Sequence, residues 1–132
     1  MSEVITLVKS EDYHLYLEQH LSVNDIRVYL VRLDFYCEMP ETIGIVVETS
    51  EGYYYSNDIE KIPLDDYGRG TTPIGIEDVN LNDGYVKVSF ELSYRWSCDC
   101  TTVTLQLRKA ESFDTIKEIF DNTVDEMMDD VE

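Results

Sequence analysis

The chain has 132 residues with 43% hydrophobic content, enough for one domain whose core needs neither disulfides nor metal. Ten Lys and Arg against 28 Asp and Glu give a net charge of −18, which argues against direct binding to nucleic acid or to an anionic membrane surface. With no membrane-length apolar run, no signal-peptide pattern in Met1–Lys9 and an odd count of 3 cysteines, a cytoplasmic protein with reduced thiols is expected.

In chain order, Ser10 followed by Glu11 and Asp12 reads as a helix start, with a capping side chain and acids at the positive end of the dipole. Tyr13, Tyr16, Leu17, His20 and Leu21 then recur at helical spacing and predict a helix over 11–21. Segments 26–37 and 42–49 are rich in β-branched and aromatic residues and predict strands. Glu51-Gly52 before Tyr53-Tyr54-Tyr55 marks a hairpin turn. Residues 57–73, with Pro, Gly and Asp, read as a long loop, and Asp83-Gly84 as a second turn.

The clearest alternation runs over 85–97. Val86, Val88, Phe90, Leu92, Tyr94 and Trp96 share one face, while Lys87, Ser89, Glu91, Ser93, Arg95 and Ser97 share the other. A matching strand is predicted at 102–109, with Cys98-Asp99-Cys100-Thr101 as the link that makes the two a hairpin. Ser112 caps a final helix whose Phe113, Ile116, Phe120, Val124 and Met127 form an apolar stripe. The expectation is therefore a single α+β domain over 1–132, with an antiparallel sheet of about five strands between an N-terminal and a C-terminal helix.

Negative charge is unevenly placed. Residues 1–37 carry 6 acids and 3 bases, 38–84 carry 11 and 2, 85–110 carry 2 and 4, and 111–132 carry 9 and 1. The net charges are −3, −9, +2 and −8, so two segments hold nearly all of it. Such localisation favours a particular acidic surface over an even solubilising coat.

Catalytic and metal signatures are weak. No phosphate-binding glycine loop, serine elbow or zinc-protease motif occurs. His14 and His20, six apart, diverge by about 240° on a helix. Cys98 and Cys100, with or without Cys37, lack the second paired cluster of a structural zinc site. Asp78, Asn80 and Asn82 imitate the start of a calcium loop, but Asp83 stands where Gly is needed and Ser89 where Glu is needed. Asp65-Asp66 and Glu77-Asp78 are adjacent carboxylate pairs open to magnesium or acid–base chemistry, with no His or basic cluster beside them in sequence. Solvated loop acids explain them better.

The final helix carries the most specific pattern. At 100° per residue, Asp114, Glu118, Asp121, Asp125, Asp129 and Glu132 fall within about 80° of one another, opposite the apolar stripe. Acids four apart repel, and those near the C-terminus oppose the dipole, so the stripe works against helix stability. That favours binding over folding as its reason, against the plain alternative of a solubilising face.

No motif is specific enough to name a family. The leading expectation is a non-enzymatic inhibitor of the phage anti-defence type, whose acidic surface mimics nucleic acid. It would block the basic groove of a DNA- or RNA-handling protein such as a nuclease, CRISPR effector or restriction enzyme. Asp114, Glu118, Asp121, Asp125, Asp129 and Glu132 would contact that partner, with Asp65, Asp66, Tyr67, Glu77 and Asp78 as a second acidic patch. Tyr53, Tyr55 and Tyr67 could add anchoring area, although Tyr53 and Tyr55 could equally pack on the sheet. No cofactor is expected. The alternatives are an immunity protein against a cognate toxin nuclease, a small metal-dependent enzyme using Asp65, Asp66, Glu77 and Asp78, or a self-associating assembly protein.

Overall fold

The computed structural model describes residues 4–9, 13–23, 25–35, 41–58, 61–62, 72–93 and 98–129. Among these residues nine strands and one helix follow in order: β1 (Val4–Lys9), β2 (Tyr13–Val23), β3 (Ile26–Phe35), β4 (Glu41–Thr49), β5 (Gly52–Ser56), β6 (Thr72–Asn80), β7 (Tyr85–Ser93), β8 (Cys98–Gln106), β9 (Arg108–Ala110) and α1 (Phe113–Asp129). Strands β1-β2-β3-β4-β5-β9 form one antiparallel sheet and β6-β7-β8 a smaller one.

The expected α+β order is thereby corrected: the fold is mostly β, with two sheets and a single helix at the C-terminal end. The segment predicted as a helix over 11–21 is β2, paired with β1 and β3. Leu15 and Leu17 are 0% and 2% exposed, and with Tyr13 they face one side at a spacing of two. His14, Tyr16 and Glu18 occupy the other side. A bulge at His20, between the pairs Gln19↔Tyr29 and Leu21↔Val28, breaks that alternation. The helical spacing of Tyr13, Tyr16 and Leu17 therefore does not mark one face: Tyr16 lies opposite the other two.

The large sheet is covered on both faces. Leu15, Leu17, Tyr29, Val31, Leu33, Val46 and Tyr55 meet Ile116, Phe120 and Val124 of α1 on one side. Val28, Leu30, Ile45 and Val47 meet Val86, Val88, Phe90 and Leu105 of the small sheet on the other. The central β4 is consequently buried at six successive positions, Thr42 to Val47. Its Ile43 is bulged between the pairs Val31↔Gly44 and Arg32↔Thr42, so Ile43 and Gly44 both turn toward α1. There, a Cβ on Gly44 would lie 2.4 Å from Phe120 Cε1 and 2.6 Å from the Ser56 carbonyl oxygen. Glycine is the side chain that lets the helix seat this closely.

The 85–97 hairpin is corrected in its details. β7 is described to Ser93, and residues 94–97 of the expected strand lie outside the described residues; Cys98 to Thr101 belong to β8, with Ser93↔Cys98 and Phe90↔Thr101 paired, so they are strand, not the predicted link. After Gln106 the chain changes sheets. Leu107 N–H donates to the Gly84 carbonyl at 2.8 Å, and β9 then pairs with β5. β1 and β6 fall in segments where the sequence pattern suggested no strand. Among the described residues, no helix is long and apolar enough to cross a membrane.

Candidate functional site

Helix α1 starts where its sequence says. The Ser112 hydroxyl accepts the Thr115 backbone N–H at 3.3 Å, and Asp114 lies in the first turn. Ile116, Phe120 and Val124 are fully buried, Thr123 nearly so. Thr123 donates to the Ile119 carbonyl at 2.8 Å and accepts from the Asn57 amide at 3.1 Å, which ties the helix to the chain just after β5. On the opposite side Asp114, Glu118 and Asp125 are exposed, with Glu126 beside them. Among the described residues none of these four is in an ion pair. Lys117, the helix's one base, holds its Nζ 5.2 Å from the Phe113 ring centroid, and the last turn has no base.

Asp121 differs from its neighbours. It is half-buried and accepts a hydrogen bond from the Tyr13 hydroxyl of β2 at 3.2 Å. Burial raises the Tyr13 pKa above its usual value of 10.0, and the nearby charges of Asp121 and then Asp125 push it further up. Asp121 is therefore a docking contact between helix and sheet as well as a member of the acidic ridge. Asp129 ends α1, its side chain beyond what the structure describes, and Glu132 lies outside the described residues.

The second acidic patch divides. Asp65, Asp66 and Tyr67 lie outside the described residues. Glu77 is the second of two bulged positions in β6, between Ile76↔Val88 and Asp78↔Lys87, so Glu77 and Asp78 share the outer face of the small sheet. Both are engaged locally: Glu77 accepts from Ser89 at 2.7 Å, and Asp78 from the Tyr85 hydroxyl at 2.9 Å. The hydrogen bond to Asp78 is the main cause raising the Tyr85 pKa. Glu77 and Asp78, on the small sheet, lie on the opposite side of the large sheet from α1 and do not combine with it into one surface.

The calcium-like residues make a turn. Asn80 Oδ1 accepts the Asp83 N–H and its amide donates to the Asp83 carboxylate, both at 3.0 Å, while Gly84 takes a φ of +76°. No group of three or more His, Cys, Asp or Glu among the described residues is placed to hold a metal ion. Cys100 is an exposed free thiol on β8; the Cys98 side chain and Cys37 are outside the described residues. Of the tyrosines considered as anchors, Tyr55 and Tyr53 pack against the core, and Tyr67 lies outside the described residues. Tyr55 packs edge-on against Phe120 at 6.4 Å and Tyr53 lies 5.9 Å from Phe113. Burial, then Glu48, raises the Tyr53 pKa.

Sequence reading missed one polar group entirely because it placed β2 in a helix. His14, Tyr16 and Glu18 of β2 share a sheet face with Arg32 and Asp34 of β3 and Thr42 of β4, through the pairs His14↔Asp34, Tyr16↔Arg32 and Arg32↔Thr42. Their signal was available only as polar residues alternating with Leu15, Leu17 and Leu33. No family model, curated protein or solved structure matches this chain.

Proposed function

We propose that the protein is a non-enzymatic inhibitor that acts in the cytoplasm by presenting α1 to the basic groove of a nucleic-acid-handling protein. One observation carries this reading: exposed Asp114, Glu118 and Asp125, with half-buried Asp121 at their edge, form a ridge along the helix that no base among the described residues pairs with. At 1.5 Å per residue the ridge is about 16.5 Å long. One DNA strand presents a phosphate every ~3.4 Å, so the ridge spans about five phosphates with four carboxylates.

Arg and Lys that normally hold phosphates would pair with these carboxylates by charge-assisted hydrogen bonds. The net charge of −18 would speed encounter with a cationic groove and repel competing nucleic acid. Buried Ile116, Phe120 and Val124 fix the helix, so little ordering is needed on binding.

Capture from the native host tests this, with wild type and the Glu118→Lys, Asp125→Lys double variant as baits. The wild type should retain a basic nucleic-acid-binding protein that added duplex DNA or RNA displaces. Equal capture by both baits would overturn the reading.

A further inference from the structure

Among the described residues the two sheets have four edges, β1 and β9 on the large sheet and β6 and β8 on the small one. An edge strand offers unpaired backbone N–H and C=O groups to any second strand, and folded proteins blunt such edges with bulges, charges, proline or brevity. Three of the four are blunted. β1 is bulged between Thr6 and Val8 and ends at Lys9. β6 is bulged twice, contains Pro73 and exposes Glu77 and Asp78. β9 has only 3 residues, two of them the exposed Arg108 and Lys109.

β8 has none of these devices along most of its length. All 9 of its residues pair with β7 in unbroken register, from Ser93↔Cys98 to Tyr85↔Gln106. It contains no proline, and the run from Cys100 to Gln106 carries no charge. Thr101, Thr102, Val103 and Thr104 are all β-branched and favour an extended backbone. Cys100, Thr102, Thr104 and Gln106 alternate on the exposed face, while Val103 and Leu105 turn inward to the core between the sheets. Among the described residues no strand pairs with the other side of β8.

We propose that β8 is the edge through which two copies of this chain pair, antiparallel and about a two-fold axis. Charge selects a second copy that meets the first along this strand. Chains of net charge −18 repel over most of their surface, whereas residues 85–110 hold 4 bases against 2 acids and Cys100–Gln106 is uncharged. The strand is also self-complementary. A two-fold axis at Val103 sets Val103 against itself, each Thr102 against a Thr104, and each Cys100 against a Gln106. That register uses the whole uncharged run and leaves Asp99 outside it. Threonines directly opposite each other on antiparallel strands hydrogen-bond through their side chains. The two small sheets then join into one, through the same patch on both copies. The small sheet and α1 lie on opposite faces of the large sheet, so pairing here does not use the acidic ridge and stands independently of the function proposed for it.

The test is sedimentation equilibrium of the full chain at about 150 mM NaCl, where exposed charges are screened beyond ~8 Å. As concentration rises to ~1 mM, the mass should climb from 15.4 kDa toward twice that value. Combining Thr102→Lys with Thr104→Lys sets like charges opposite each other twice in the pair and should weaken association about tenfold or more. It does so while lowering the net negative charge of each copy. Thr102 also shares a 3.1 Å hydrogen bond with Ser89, so melting is measured alongside. If that variant fails to fold, Gln106→Cys at an exposed position decides the matter. Under mild oxidation it should crosslink to Cys100 of the other copy, because paired strand positions lie within disulfide reach. Within one chain the two positions are about 20 Å apart along the strand and cannot bridge. Adding Cys100→Ser should abolish the crosslink.

A chain that stays monomeric throughout would overturn the proposal and leave β8 to a strand from another polypeptide. A dimer that keeps its affinity in the folded lysine variant would do the same, since its contact then lies elsewhere. So would the absence of a crosslink that depends on Cys100.

Discussion

Gly44→Ala perturbs the contact that seats α1 on the sheet. The added Cβ would stand 2.4 and 2.7 Å from Phe120 Cε1 and Cζ, and 2.6 Å from the Ser56 carbonyl oxygen. The ring can tilt, but the Ser56 oxygen belongs to β5, which is hydrogen-bonded to β4 at the pair Ile45↔Ser56. Overpacking a rigid core costs about 1–3 kcal/mol, and a backbone clash puts this case at the upper end, near 3 kcal/mol. At roughly 3–5 °C per kcal/mol for a chain of this size, melting should fall by about 10 °C. Urea unfolding of wild type, Gly44→Ala, Phe120→Leu and the double variant would measure the coupling. Leucine removes the two ring atoms, so the double variant should be less destabilised than the sum of the singles, by on the order of 1 kcal/mol. The Ser56 contact should keep the rescue partial. If Gly44→Ala melts within about 1 °C of wild type, Phe120 does not sit over β4, and the helix placement is wrong.

Leu15→Ala should cost about 2–5 kcal/mol by denaturant unfolding, since Leu15 is fully buried; were 11–21 a helix, this position would lie off its apolar stripe and the change would be mild. Tyr13→Phe should cost about 1 kcal/mol through the lost bond to Asp121. Because the folded pKa of Tyr13 lies above its unfolded value of 10.0, its contribution is whole below pH 10 and disappears as pH rises through the folded value. The stability difference between wild type and Tyr13→Phe should therefore shrink in alkali; a constant difference would remove the Asp121 contact from the account.

Legibility in the sequence depended on how local the determining contacts are. Ser112 and the stripe of Ile116, Phe120 and Val124 lie within one helix, and the helix is where they place it. Val86, Val88 and Phe90 alternate without interruption, and their strand is correct to Ser93. In β2, by contrast, the Tyr16 ring sits on the polar face opposite Tyr13 and Leu17, and reading it as apolar imitates a helical stripe. The bulges at Ile43 and Glu77 have no local mark, although the first explains why β4 is buried throughout and the second why two adjacent acids share a face. The crossing at Leu107 between sheets depends on a bond to Gly84, 23 positions earlier. At the site, the exposure of Asp114, Glu118 and Asp125 was readable from helical angles. The tie between Asp121 and Tyr13 was not, because it joins residues 108 apart. The polar row on β2, β3 and β4 was hidden for the same reason, since three strands must be in register before it exists.

The central claim, that the ridge on α1 meets a cationic nucleic-acid groove, is tested most directly by titrating the captured partner against wild type and the Glu118→Lys, Asp125→Lys variant. Both positions are exposed and neither has an ion-pair partner among the described residues, so the variant should melt no lower than wild type. Its affinity should fall by at least about a hundredfold, taking each charge-assisted pair as ~1.5–3 kcal/mol. Wild-type affinity should decline steeply with added salt and in competition with the partner's nucleic acid. Equal affinity for the folded variant, or wild-type binding indifferent to salt, would contradict the claim.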